Sequence, residues 1–242
     1  MLINPIHLVE TQDYNYSILW SSIMENIVVS KNTNTQIEIA VNKAVKILKN
    51  GGVASLPTDT LYALSASINN EEAVKRVFSI KNRLLSKPLP ILTYSILDVS
   101  RWAKNLSNQA LSLLEAFAPG PLTLVVEKSD LVPNIVSNLT TTVAIRVPDS
   151  SITREIILKL GFPITGTSAN KSGGANPTSA ETVIKSVGPE IDLILDTGKT
   201  NDSLGSTIID TTNNRVSILR EGLISRNEIE QICKIELTKP IV

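Results

Sequence analysis

The sequence predicts an α/β fold, in which a twisted, open sheet of mixed or mostly parallel strands is flanked by helices. Short, continuous apolar runs alternate along the chain with segments whose apolar residues recur at helical spacing. Continuous apolar runs are typical of strands that are covered on both faces, as in α/β proteins. No linker composition interrupts residues 37–235, so we expect one domain there.

The first half of the chain opens this alternation clearly. Apolar residues from Ile37 to Leu48 fall at helical spacing, and Asn50-Gly51-Gly52 supplies a stop signal. A second helix follows the N-cap residue Asn70, with two acids in its first turn. The other elements predicted in this half are strands over 53–57 and 89–94 and a helix over 107–117.

The second half continues with shorter elements and two capping signals. Thr178-x-x-Glu181 predicts a capping box for a helix through about Val187, and Ser225-x-x-Glu228 predicts another for the last helix. A turn is predicted at Asn213-Asn214. The remaining predictions are a helix over 151–161 and strands over 122–128, 142–148, 162–166, 192–196, 206–210 and 215–220.

Composition limits the classes of function. Lys plus Arg equals Asp plus Glu at 23 each over 242 residues, so no overall field favours nucleic acid or an anionic membrane, and a basic site must be local. The single cysteine, Cys233, excludes an internal disulfide framework and favours a reducing, cytoplasmic location. No secretory signal and no membrane span are visible. Residues 1–34 are predicted to be a peripheral extension, 35–235 the domain and 236–242 a tail.

The residues present argue against four familiar kinds of functional site. The only histidine, His7, lies in the predicted extension, so a Ser-His-Asp or Cys-His mechanism lacks its base. The segment "GTSAN" has Asn170 where a nucleophile elbow needs glycine. A zinc site is improbable with one cysteine and one histidine. The segment "DTGKT" resembles the tail of a phosphate-binding loop, but Leu193 occupies the position of its first glycine.

Polar loops at the predicted strand ends are the remaining candidates. The segment 81–90, "KNRLLSKPLP", carries Lys81, Arg83 and Lys87 ahead of two prolines. The segment 167–178, "TSANKSGGANPT", is rich in hydroxyl, amide and glycine residues and leads into a helix, which suits an oxyanion such as phosphate. Such loops are where α/β sheets usually bind ligands. The same composition also occurs in plain surface turns, so the residues alone leave both interpretations open.

Seven segments, in order and with compatible spacing, resemble the YrdC/TsaC family of threonylcarbamoyl-AMP synthases. They run from about residue 38 to 225 and read "GGVASLPTDTLYAL", "KNRLLSKPL", "PGPLTLVVEK", "VAIRVPD", "PITGTSANKSGGANPT", "LGSTIID" and "ILREG". The resemblance implies a nucleotidyltransferase of the single-domain type that joins L-threonine, bicarbonate and ATP into threonylcarbamoyl-AMP and pyrophosphate. A downstream tRNA-modifying transferase would use the product. Mg²⁺ is expected only as the companion of ATP.

The resemblance also implies a role for individual residues. No protein nucleophile and no metal ligand are implied, because the reaction needs positioning and charge neutralisation. Arg146 suits a carboxylate, since a guanidinium pairs with it through two bonds. Tyr62 is expected to pack nearby. The implied threonine contacts are Thr58, Arg146 and Ser206, and the implied ATP contacts are Lys81, Arg83, Lys87, Thr142, Ser168, Asn170, Asn176 and Arg220.

Two departures and two alternatives stay open. Ala63 stands where the family has glycine, and Leu92 stands where some members have histidine, which leaves substrate preference undecided. One alternative is a double-stranded RNA or tRNA-binding module of the same fold. Zero net charge and 4% aromatic residues speak against it. The other is a paralogue that uses carbamoyl phosphate, whose relatives sit in longer chains with segments absent here.

Overall fold

The computed structural model of the chain describes residues 25–28, 34–200, 204–212 and 216–235, and these form eleven strands and eight α-helices. The predicted turn at Asn213-Asn214 and the histidine His7 lie outside the described residues. The strands are β1 (Glu25–Val28), β2 (Ala54–Leu56), β3 (Ala63–Ser65), β4 (Ile91–Leu92), β5 (Leu122–Glu127), β6 (Thr142–Arg146), β7 (Ile164–Thr165), β8 (Thr167–Ser168), β9 (Leu193–Asp196), β10 (Thr207–Asp210) and β11 (Ser217–Arg220). The helices are α1 (Asn34–Lys49), α2 (Glu71–Lys81), α3 (Ile96–Trp102), α4 (Asn108–Phe117), α5 (Asn134–Ser137), α6 (Ser151–Leu160), α7 (Ala180–Val187) and α8 (Arg226–Cys233).

The strands form two mixed sheets, which confirms the predicted α/β class. One has the order β1-β9-β2-β3-β8 and the other the order β11-β10-β5-β6-β4-β7, and both contain parallel and antiparallel pairs. The chain passes from one sheet to the other between β7 and β8, which are separated by the single residue Gly166. The two sheets therefore meet at this segment.

The six-stranded sheet presents two different faces. The neighbouring residues Ile209, Leu124, Ile145 and Ile91 point to one side and belong to the main hydrophobic core. Because side chains alternate along a strand, the adjacent residue of each strand points to the other side. That second face carries Arg146 and is free of the main core, so it is available to form a binding site.

The predicted helix signals were largely confirmed. The Asn70 side chain accepts a hydrogen bond from the Ala73 backbone amide, and Ser225 and Glu228 form a capping box. The prediction of a capping box at Thr178 and Glu181 was wrong by one residue. Ser179 and Thr182 form it instead, because the Thr178 carbonyl is used by the Thr200 amide in the adjoining loop.

Five short elements were missed. They are β1, β3, β8, α3 and α5, none longer than seven residues. Strand β1 lies within the predicted extension and pairs in parallel with β9. Such segments are too short to show a periodicity in the sequence. None of the described helices has the length and apolarity needed to cross a bilayer.

Asp192 ties Arg76 of helix α2 to Val53, the residue before strand β2, and breaking this link should destabilise the fold. The Asp192 carboxylate accepts hydrogen bonds from the Val53 backbone amide at 2.7 Å and from Arg76 Nη1 at 2.6 Å. We expect Asp192→Ala to lower the free energy of unfolding by about 1–3 kcal/mol, because it leaves both donors without their acceptor. Urea denaturation measures this change.

A matched control comes from an exposed ion pair. Asp130 bonds Lys104, and its side chain is 93% exposed. Asp130→Ala should change the free energy of unfolding by less than about 0.5 kcal/mol. Equal losses in the two variants would contradict the role given to Asp192.

Candidate functional site

A cavity of about 660 Å³ lies where the two sheets meet. The cavity is lined by residues of both sheets, from β3 and β8 of one and from β5, β6, β10 and β11 of the other. The loops around 81–90 and 166–176 complete its lining. Five cationic side chains line this cavity against one acidic side chain, Glu221. The chain as a whole has no net charge, so the basic character predicted to be local is concentrated here.

The structure brings together ten of the eleven residues expected to bind ligand. They line the cavity together with Tyr62, Ala63 and Leu92, and they are Thr58, Lys81, Arg83, Lys87, Arg146, Ser168, Asn170, Asn176, Ser206 and Arg220. Thr142 does not line it. It begins β6 whereas Arg146 ends it, and four steps along a strand separate the two residues by about 13 Å.

Lys81 is the buried cation of the site. Its Nζ donates to the Ser168 carbonyl at 2.5 Å, the Asn170 carbonyl at 2.8 Å and Asn170 Oδ1 at 3.1 Å. The Lys81 carbonyl in turn accepts from the Ser172 amide. An ammonium has three donors, so all of them are used inside the protein. Burial, and secondarily the charge of Arg83, lowers the pKa of Lys81 from 10.5 to about 8.

Asn170 closes the loop that Lys81 holds. Its Nδ2 donates to the carbonyls of Gly174 and Ala175, at 3.0 and 2.9 Å, while its Oδ1 also accepts from the Ser168 hydroxyl at 2.7 Å. The side chain thereby folds residues 170–175 into a compact turn. Asn170 and Lys81 shape the cavity wall through these bonds, and their polar groups are occupied before any ligand enters.

Arg83 and Lys87 present the accessible positive charge of the cationic loop. Arg83 donates from Nε to the Lys87 carbonyl at 3.0 Å and from Nη2 to the Pro88 carbonyl at 2.8 Å, so its guanidinium closes the loop and keeps donors to spare. Burial lowers the pKa of Arg83, which nonetheless stays charged. Lys87 is exposed, and its ammonium contacts no acid among the described residues.

Arg146 is anchored at the inner end of the cavity. Its Nε donates to the Gly120 carbonyl at 2.9 Å, Nη1 to Thr60 Oγ1 at 2.8 Å and Nη2 to Asp59 Oδ1 at 2.6 Å. Burial lowers the pKa of Arg146, and the Asp59 carboxylate opposes this shift. Two guanidinium N–H groups have no part in these bonds, so a bound carboxylate can use them. Asp59 and Thr60 fix the direction in which they point.

A second group of hydroxyls lies beside Arg220. The Thr123 and Ser206 hydroxyls are 2.7 Å apart, and Arg220 Nη2 donates to the Ser206 carbonyl at 2.7 Å and to its hydroxyl at 3.1 Å. Burial lowers the pKa of Arg220. Neither Thr123 nor Thr60 was expected from the sequence. Thr60 could have been predicted as a cavity residue, since it lies two positions after Thr58 in "PTDT". Thr123 could not, because the sequence around it is that of an ordinary strand.

Tyr62 supports the cavity from behind. Its hydroxyl lies 2.6 Å from the Gly198 carbonyl and 3.1 Å from Asp196 Oδ1, and it accepts from the Thr197 amide. Burial raises the pKa of Tyr62 to about 12, so the phenol remains neutral. Thr58 is also turned inward, because its hydroxyl donates to the Leu61 carbonyl at 2.6 Å. Both residues hold loops in place as well as lining the cavity.

The comparisons with known proteins agree on one family. The family model described as "Telomere recombination", Sua5/YciO/YrdC, matches residues 46–222. A Methanocaldococcus jannaschii relative is 37% identical over 179 residues, which are 74% of this chain and 84% of that protein. Threonylcarbamoyl-AMP synthase of Pyrococcus abyssi is 37% identical over 195 residues, or 81% of this chain. The chain spans 57% of the length of that relative.

Two solved structures resemble the fold closely. Pyrococcus abyssi Sua5 complexed with L-threonine aligns with a TM-score of 0.79 at 36% identity, covering 87% of this chain and 61% of that one. E. coli YciO aligns with a TM-score of 0.77, covering 86% of this chain and all of that one, but at 24% identity it informs on the fold alone.

The lowered pKa of Lys81 predicts that anion binding is coupled to proton uptake. Lys81 is partly neutral at about pH 8.5, and a polyanion in the cavity favours its charged form. We therefore expect sulfate, which does not itself titrate in this range, to bind with net proton uptake at about pH 8.5 and with almost none at about pH 6.5. Calorimetric titration in two buffers of different ionisation enthalpy measures the uptake.

Lys81→Met and Lys87→Ala separate this effect from simple loss of charge. Lys87→Ala should weaken binding but keep the proton uptake, because Lys81 is intact. Lys81→Met should abolish the uptake. Unchanged uptake in Lys81→Met would show that another group titrates.

Proposed function

Because the chain belongs to the Sua5/YciO/YrdC family, we propose that it is an L-threonylcarbamoyladenylate synthase, a nucleotidyltransferase that makes threonylcarbamoyl-AMP and pyrophosphate from L-threonine, bicarbonate and ATP. The observation that carries the proposal is the charge balance of the cavity. Of its five cationic residues, only Arg146 forms an ion pair with a described residue. Four unneutralised cations around one cavity suit a triphosphate.

The threonine end of the proposed site is the inner end, around Arg146. Its two spare N–H groups would hold the carboxylate in a bidentate pair, with Asp59 and Thr60 keeping the guanidinium in place. Thr58 and Ser206 line the same end.

The ATP end of the proposed site lies between the cationic loop and Arg220. Arg83, Lys87 and Arg220 would bind the phosphates directly, since each keeps donors that no described residue uses. The loop held by Lys81 and Asn170 would support the nucleotide with its backbone and with Ser168 and Asn176. Mg²⁺ would enter with ATP, which normally carries it.

The proposed chemistry has two steps. The threonine amine adds to bicarbonate with loss of water and forms a carbamate. A carbamate oxygen then attacks the α-phosphorus of ATP, and the bond to the β-phosphate oxygen breaks as pyrophosphate leaves. Neither step needs a protein nucleophile, so the site contributes orientation and a fixed positive field. The cavity supplies both.

The remaining expectations belong to the same proposal. Residues 35–235 would form the catalytic domain, with 1–34 as an extension and 236–242 as a tail. The product would pass to a downstream tRNA-modifying threonylcarbamoyl transferase in the cytoplasm. The RNA-binding alternative is not favoured, since the chain has no net charge and five of its cations line one cavity. Nothing in the cavity favours carbamoyl phosphate over the proposed substrates.

We expect pyrophosphate release from ATP to require both L-threonine and bicarbonate, because the attacking carbamate forms from the two. A coupled pyrophosphate assay, with mass detection of the adenylate, measures this. Release that continues at the same rate without threonine would overturn the proposed function.

Arg83→Ala and Lys87→Ala should each raise the KM for ATP at least roughly tenfold, because each removes a charge-assisted contact to phosphate. The KM for threonine should change little in both variants. The melting temperature should change little in Lys87→Ala, because Lys87 is exposed, and should fall modestly in Arg83→Ala, which loses two hydrogen bonds that close the loop. Lys104→Ala, at an exposed ion pair outside the cavity, is the matched control. A large fall in melting temperature with an unchanged KM would assign Arg83 and Lys87 a structural role.

A further inference from the structure

The turn of residues 170–175 forms one wall of the cavity, and Asn170 and Lys81 hold it from the inside. Residues 172–174 line the cavity. Gly173 has a φ of +80°, and a Cβ there would meet no atom of the described residues within 4 Å, so side-chain packing does not confine this part of the turn. The turn therefore depends on hydrogen bonds and ion pairs to keep one shape.

Lys171 ties the turn to the body of the protein on its outer side. Its backbone amide donates to the Ser186 hydroxyl of α7 at 3.1 Å, and its ammonium pairs with the Glu190 carboxylate. Its carbonyl accepts from the Gly174 amide at 2.9 Å, which closes the turn. Lys171 does not line the cavity, although its neighbours on both sides do. It can therefore influence a ligand only through the turn.

The partner of Lys171 is itself fixed to helix α2. The Glu190 carbonyl accepts from Arg76 Nη2 at 2.7 Å, and Arg76 also pairs with Asp192. Helix α2 ends at Lys81, whose ammonium holds the turn from within. These bonds close a ring, in which α2 holds the turn directly through Lys81 and indirectly through Glu190.

We propose that Lys171 is a positioning residue for the nucleotide, acting through the turn that it holds. The inference rests on the proposed function, in which this turn supports bound ATP. A turn that already has its bound shape need not be ordered when ATP binds, so its contribution appears in nucleotide affinity. At the threonine end, Arg146 is held by Gly120, Thr60 and Asp59, which belong to other segments. Threonine affinity should therefore not depend on Lys171.

The test measures the KM for ATP and the KM for threonine in the pyrophosphate assay after each outer bond is removed. Ser186→Ala removes the hydroxyl acceptor without changing any charge, whereas Lys171→Met and Glu190→Ala each remove one half of the ion pair. We expect each variant to raise the KM for ATP roughly threefold, with the KM for threonine within about twofold of wild type. Hydrogen exchange in residues 170–175 should be faster in all three variants before ATP is added.

Two features of this set separate positioning from a plain charge effect. Removing the Glu190 carboxylate beside a basic cavity would by charge alone lower the KM for ATP, whereas loss of the tie raises it. Lys171→Arg, which keeps the ion pair, should retain the wild-type KM for ATP. Lys185→Met removes an exposed lysine charge from the same helix α7 and should also leave it unchanged.

The outcomes distinguish this inference from the proposed function. Threonine-dependent pyrophosphate release with an unchanged or lower KM for ATP in Ser186→Ala and Glu190→Ala would overturn the inference alone. An equal rise in the two KM values would also overturn it, because that is the sign of general structural damage. Absence of threonine-dependent release in wild type would overturn the proposed function and this inference with it.

Discussion

The buried ammonium of Lys81 is the interaction on which the site depends. It joins the end of helix α2 to the loop after strand β8 through three hydrogen bonds, two of them to backbone carbonyls. Removing a buried charge from water is costly unless its hydrogen bonds are satisfied, and here each donor has an acceptor. The cationic loop and the hydroxyl-rich loop are therefore held at a fixed distance. Asn170 then shapes the second loop from the inside.

This arrangement separates residues that build the site from residues that can bind. Four residues use their polar groups in hydrogen bonds within the protein, and they are Lys81, Asn170, Asp59 and Tyr62. Arg83, Lys87 and Arg220 keep donors for a ligand, and they lie on a chain whose charges otherwise balance. Concentrating unpaired cations in one cavity destabilises the free protein by mutual repulsion, so such a cluster is better explained by an anionic ligand than by folding.

Sequence reasoning predicted the class of fold and named ten residues that the structure brings together around one cavity, and its errors have physical causes. Long amphipathic helices and side-chain caps are local, so α1, α2 and the Ser225 cap were readable from the chain. Thr142 was misplaced relative to the cavity because strand geometry puts it about four steps from Arg146. Thr123 was missed because sheet register, which joins residues distant in sequence, brings it to the cavity wall. The hydrogen bonds from the Lys81 ammonium to the backbone of residues 168–170 could not be predicted either, since no sequence pattern encodes them.

A crystal structure with L-threonine and a non-hydrolysable ATP analogue tests this division most directly. The account predicts that the Lys81 ammonium stays on the Ser168 and Asn170 carbonyls while Arg83, Lys87 and Arg220 contact the phosphates and Arg146 binds the threonine carboxylate. A Lys81 side chain that leaves the loop and bonds a phosphate oxygen, or a nucleotide bound outside this cavity, would contradict it.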